Sequence, residues 1–187
     1  MHSESVVKVV KATCLATVVA ALAACGSSHR ATTTVKAVGR VTLTSPAFAP
    51  GGSIPRAFTC DGANTSPPLR FSPAPAGTAA LALTVVDQDA PGGSFTHWVV
   101  FDVPPRTVAL AQGSLPGGSR QGRNDFGRAR YGGPCPPRGD PPHRYVFTLY
   151  ALSRRIGLAN GSSTGTVEAA VMRGAIATGR LIGRYGR

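Results

Sequence analysis

Asp87 and Asp89 stand two residues apart at the end of an apolar run, and His97 follows ten residues after the first of them, in DQDAPGGSFTHWVVF (87–101). Residues 132–145, GGPCPPRGDPPHRY, bring His143 and Tyr145 to the start of another apolar run. A carboxylate beside an imidazole fixes its tautomer and favours the protonated ring. Two such imidazoles, a phenol and the amides of a Gly-rich turn could receive a small anion such as a phosphate monoester. Asp87 and Asp89 can also act as turn acids before Pro91, satisfying backbone N–H groups. A strand histidine can equally be a bonded core residue. Asp125 and Asp140 read as loop caps, and Arg144 as a guide for an anion or a solvated charge.

For these side chains to meet, three strands must bring their ends to one rim. Residues 79–87, 97–103 and 144–152 are the strongest strand candidates, with weaker ones at 40–44 and 54–60. Their near-continuous apolar character predicts central strands covered on both faces. Alternation puts Leu81, Leu83, Val85 and Asp87 on one face of the first. It puts His97, Val99 and Phe101 on one face of the second, with Trp98 opposite. Residues 164–182 carry Val167, Ala170, Val171, Gly174, Ala177 and Leu181 at helical spacing, with Thr166 able to cap the start. Long Gly/Pro loops at 60–78, 112–128 and 131–143 connect the strands, and loops of that length are often functional.

With 23 Gly and 16 Pro in 187 residues, the composition suits a loop-rich β protein. The net charge is +12, and the arginines are scattered with no long run. No nucleic-acid motif accompanies them and stacking aromatics are few, so nucleic acid is not the expected partner. A basic surface suits an acidic membrane.

The first 24 residues read as an export signal. Lys8 and Lys11 precede the apolar run ATCLATVVAALAA, which is too short to span a bilayer. Leu22-Ala23-Ala24-Cys25 resembles the lipobox of bacterial lipoproteins, which implies that Cys25 is acylated and becomes the first mature residue. The alternative is a plain signal peptide. Residues 25–40 then form a polar, Ser/Thr-rich tether, and 41–187 the domain, placed outside the cytoplasm on a lipid anchor. Cys60 and Cys135 remain in the exported part, where an even pair suggests a disulfide. A zinc site or two free thiols are the alternatives, and neither cysteine lies in a CxxC pair.

Three segments, FTCDGANTSPPL (58–69), VVDQDAPGGSFTHWVVFDVP (85–104) and YGGPCPPRGDPPHRYVFTLYAL (131–152), resemble the phosphatidylethanolamine-binding protein (PEBP) family, and its bacterial Raf-kinase-inhibitor-like branch in particular. Gln88 departs from the family's usual Pro between the two acids. The resemblance implies a mainly β fold, with a large central antiparallel sheet packed on a smaller one and a C-terminal helix. It implies an anion pocket formed by Asp87, His97, Gly133, Pro134, Pro136, His143 and Tyr145, with Asp61 and Asp89 near the rim. It also favours the Cys60–Cys135 disulfide, by bringing both cysteines into loops on that rim. No cofactor or metal is implied.

Three functions follow as expectations. The first is binding of phospholipid head groups or small phosphorylated or carboxylated ligands. The second is a hydrolase using an Asp/His general base, although no Ser stands in a nucleophile elbow and no HExxH spacing is present. The third is an inhibitor or regulator of an envelope protein. An isologous homodimer is compatible with any of them.

Overall fold

The computed structural model describes residues 39–187. The signal segment, Cys25 and the tether as far as residue 38 lie outside the described residues. The strands are β1 (Gly39–Arg40), β2 (Leu43–Thr44), β3 (Leu69–Phe71), β4 (Ala80–Asp87), β5 (Phe95–Val103), β6 (Ala109–Leu110), β7 (Arg120–Gln121), β8 (His143–Leu152) and β9 (Ala175–Tyr185), with helix α1 (Thr164–Gly174) between β8 and β9. One sheet has the order β1-β9-β8-β4-β5-β7 and the other β2-β3-β6. Pairing is antiparallel except at the edge, where β1 runs parallel to β9.

The ALALTVVD segment of β4 shows why the apolar runs are nearly continuous. Leu81, Leu83 and Val85 pack with Leu43, Leu69 and Phe71 of the small sheet. Ala82 packs the other way, with Val99, Phe101 and Leu152, against Val167 and Val171 of α1. Burial on both faces leaves Thr84 as the one polar residue before the strand end, where Asp87 stands. α1 is capped by Ser163, whose hydroxyl accepts from the Thr166 backbone N–H, so Thr166 is not the cap itself.

Two expectations are corrected. The helix expected over 164–182 ends at Gly174, and residues 175–185 form β9. Ala177, Gly179, Leu181 and Gly183 are buried alternately along it, a period of two. Gly179 admits the close approach of the Val41 backbone, and Gly183 that of Ile54 and Phe48. The small residues that blurred the helical pattern are the ones that let other chain segments press on this strand. The weak strand expected at 54–60 is a 3-10 turn at Arg56–Phe58. Pro55 cannot donate to a ladder, and Phe58 instead drops into the core.

Candidate functional site

Antiparallel pairing puts the end of β4 beside the beginnings of β5 and β8. Asp87, His97 and His143 are therefore brought together. His143 Nδ1 donates to Asp87 Oδ2 at 2.8 Å. The Asp89 backbone N–H donates to Asp87 Oδ1 at 2.9 Å. Asp87 is 3% exposed and His143 4%. A carboxylate this deep is tolerated because both oxygens are bonded. On the far side of the ring, His143 Nε2 lies 3.6 Å from Asp140 Oδ2. Asp140, read from the sequence as a loop cap, thus approaches His143 from outside the cavity lining.

His97 reaches the site through a β-bulge. Val85 pairs with Trp98 and Val86 with Thr96, so His97 has no partner across β4. The surplus residue breaks the alternation expected from the sequence. Val99 and Phe101 face α1. The His97 ring instead packs edge-on against Tyr145, whose centroid lies 5.1 Å away in the other core. Phe95 and Phe126 flank the same ring at 5.2 Å each. His97 Nδ1 lies 2.8 Å from the Gly132 carbonyl oxygen, which can only accept. Nδ1 therefore carries the proton, and Nε2 of the neutral ring is left as an acceptor. Burial lowers the His97 pKa below the usual imidazole value, while the Gly132 hydrogen bond and the Asp87 carboxylate act against that shift.

These groups open on a cavity of about 230 Å³. Asp87, His97 and His143 are the titratable side chains in its lining, and Phe95, Phe126, Ala90, Pro91, Pro136, Pro137 and Cys135 complete it. Phe126 is 42% exposed. The sequence signal for it was a lone aromatic in the polar Gly loop NDFGR.

Tyr145 is fully buried, and its hydroxyl, though near Asp87 and the Cys135 amide, makes no hydrogen bond of normal length. It stands behind His97 and does not line the cavity. Burial pushes the phenol pKa up and nearby Asp87 adds to this, while the Cys135 amide opposes it.

The turn at 131–136 is laced to the loop at 58–64. Cys60 and Cys135 form a disulfide. The Cys60 amide donates to the Pro134 carbonyl at 3.1 Å, and the Tyr131 hydroxyl to the Phe58 carbonyl at 2.8 Å. Gly133 donates to Asn64 Oδ1 at 2.7 Å, and Gly132 to the His97 carbonyl at 3.1 Å. Of the amides expected to greet an anion, those of Gly132 and Gly133 are thus already engaged. Gly133 and Pro134 shape the turn from outside the cavity, and only Pro136 of the three reaches its wall. A side chain at Gly133 would place Cβ 2.5 Å from the Phe58 carbonyl oxygen and 2.6 Å from Asn64 Oδ1.

The two rim acids are also occupied. Asp89 is gripped by Arg144, with Nη2 at 2.6 Å from Oδ1 and the backbone N–H at 2.8 Å from Oδ2. These hydrogen bonds hold its pKa down at about 2. Asp61 accepts from the Tyr185 hydroxyl at 2.7 Å and lies 3.1 Å from Arg187 Nε. The Tyr185 hydrogen bond is the main cause of its lowered pKa. Neither acid lines the cavity. No group of three or more His, Cys, Asp or Glu set to hold a metal occurs among the described residues.

A model of the phosphatidylethanolamine-binding protein family matches residues 44–186. The chain belongs to the PEBP family. A UPF0098 protein of Aquifex aeolicus is 45% identical over 148 residues, covering 76% of this chain and 86% of its own. The Mycobacterium tuberculosis protein named "Putative lipoprotein LppC" is 43% identical over 155 residues, 83% of this chain and 77% of that one. Among solved structures, E. coli YbcL, described as a member of the mammalian PEBP family, superposes with a TM-score of 0.75 at 36% identity, covering 80% of this chain and 99% of YbcL. The PEBP-like segments read from the sequence each have a place around the cavity. The first braces the 131–136 turn, the second carries Asp87 and His97, and the third carries Pro136 and His143.

Proposed function

We propose that the chain is an exported, lipid-anchored binding protein for small anionic ligands, among them phosphate-containing phospholipid head groups and phosphorylated or carboxylated small molecules. The observation that carries this reading is the cavity at the meeting of β4, β5 and β8, where the buried Asp87–His143 pair and His97 are its titratable side chains. Rigid proline walls and flanking aromatics suit recognition of a compact polar group, with little ordering cost on binding. Anchoring through Cys25, and hence a place outside the cytoplasm, is supported by the lipobox and by the name of the LppC relative.

Calorimetric titration with phosphate, phosphoethanolamine and acetate tests the binding. His143→Ala and Asp87→Ala are expected to abolish saturable uptake. If both leave it intact, the cavity is not the binding site. Mass spectrometry of the membrane-extracted protein tests the anchor, and an unmodified Cys25 rejects it.

A second reading, a hydrolase, is favoured by the Asp87–His143 contact, since a carboxylate orienting an imidazole is the arrangement of a general base. Turnover of ester or phosphoester substrates that is lost on changing either histidine would select it.

A further inference from the structure

The cavity and the place where the chain enters the domain lie at opposite ends of the large sheet. Asp87, His97 and His143 sit where β4 ends and β5 and β8 begin. Gly39 pairs with Ala177 at the start of β9, beside Ala151 and Leu152 at the end of β8. β8 has 10 residues, which separates the two ends by about 30 Å.

The end away from the cavity is basic. Arg154 and Arg155 follow β8, and Arg173 closes α1, where the Gly174 carbonyl accepts from the Ser153 amide at 2.9 Å. The three arginines are exposed and line a cleft of about 320 Å³ with Ile156 and Ala170. Asp102, the carboxylate beside Arg155, is fully buried and already accepts from the Ile156 and Gly157 amides at 2.7 and 3.0 Å. Arg155 approaches it only to 3.9 Å. Among the described residues, Arg154 and Arg173 have no carboxylate within ion-pair distance. Arg40 and Arg106 are exposed at this end too, and Met172 beside Arg173 is 71% exposed. The other five aspartates, Asp61, Asp87, Asp89, Asp125 and Asp140, gather at the cavity end.

We propose that the end bearing Arg154, Arg155 and Arg173 is the face the domain lays on an anionic phospholipid bilayer, with the cavity turned away, so that the cavity draws its guest from solution and not from the bilayer that holds the chain. The inference rests on the exported, anchored reading above and narrows its ligand class to soluble anions. A basic residue near an anionic surface contributes about 1 kcal/mol, and the effect fades within a Debye length of roughly 8 Å. Only the nearer end of a domain this long feels the surface. The end whose arginines meet a single buried aspartate is therefore preferred over the end where Arg123, Arg128, Arg130 and Arg184, also without ion-pair partners among the described residues, stand with five aspartates.

The test uses the full chain in vesicles of about one-third phosphatidylglycerol. Met172→Trp and Phe126→Trp report the two ends through quenching by brominated lipid, against a constant background from buried Trp98. Met172→Trp is expected to shift to the blue and be quenched, and Phe126→Trp is not. R154Q/R155Q/R173Q should lower the ratio of docked to undocked domain roughly a hundredfold and erase the difference, as should neutral vesicles. R123Q/R128Q/R130Q, of equal charge change, should leave it in place. Quenching at Phe126→Trp, equal loss from both triple variants, or no association with anionic vesicles overturns the proposal. Phosphate titration without vesicles reads the cavity alone and is expected to be unaffected by R154Q/R155Q/R173Q, so a failed cavity and a failed face give different results.

Discussion

His143 and Asp87 come from strands paired side by side, and their side chains meet at 2.8 Å with almost no exposure to solvent. Removing the carboxylate leaves a buried imidazole without its acceptor. Asp87→Ala is therefore expected to cost about 3 kcal/mol in urea unfolding, and Asp87→Asn, which keeps an acceptor, about 1 kcal/mol. Equal losses from the two variants would show that the charge does not matter.

His97 sets a pH dependence with two opposite arms. Burial holds its folded-state pKa below the ordinary value of about 6.5. The unfolded chain takes up this proton first as the pH falls. The group's contribution to stability is present above about pH 6.5 and is lost as the pH drops through the lowered folded-state value. An anion beside the ring favours its protonated form, so anion affinity should rise over the same fall. Melting temperature and calorimetric affinity measured between about pH 7 and pH 5 check both arms, and His97→Gln should flatten them. An affinity that does not change with pH would remove His97 from the binding site.

Tyr145→Phe removes a buried hydroxyl that makes no hydrogen bond of normal length. The variant should be more stable by about 1 kcal/mol, raising the melting temperature by roughly 2–4 °C. Because the hydroxyl does not line the cavity, phosphate affinity is expected to stay within about twofold. A loss of about tenfold or more would show that the phenol reaches the guest.

The Cys60–Cys135 bond closes a loop with a sequence separation of 75. The chain-entropy model assigns such a loop about 4.5 kcal/mol, and measured values are commonly about 2–4 kcal/mol. C60S/C135S should lose stability in that range under urea. The cavity wall at Pro136 and Pro137 should loosen with it, weakening anion binding even where the fold persists. Unchanged stability would mean that the other cross-loop bonds suffice.

The three central strands and the meeting of Asp87 with His143 were legible in the sequence because burial on both faces leaves apolar runs that polar strand ends interrupt. The His97 bulge was not legible, since its surplus residue is defined by the partner strand and not by β5. β9 was mistaken for helix because Ala and Gly satisfy a period of two and one of 3.6 equally well, and only packing decides between them. Asp140 reads as a loop cap from sequence because its approach to His143, across a proline turn, is set by the fold. The engaged amides of Gly132 and Gly133 were hidden for a similar reason: their acceptors, the His97 carbonyl and Asn64, lie far away in the sequence.

The irregularity in β5 separates two kinds of constraint on one strand. Downstream of it, Val99 and Phe101 answer to the helix, while His97 answers to the hollow. A lineage could therefore exchange hydrocarbon beneath the helix without re-aiming the imidazole. It could equally retune what the hollow admits, through Phe95 or Phe126, without renegotiating the interior.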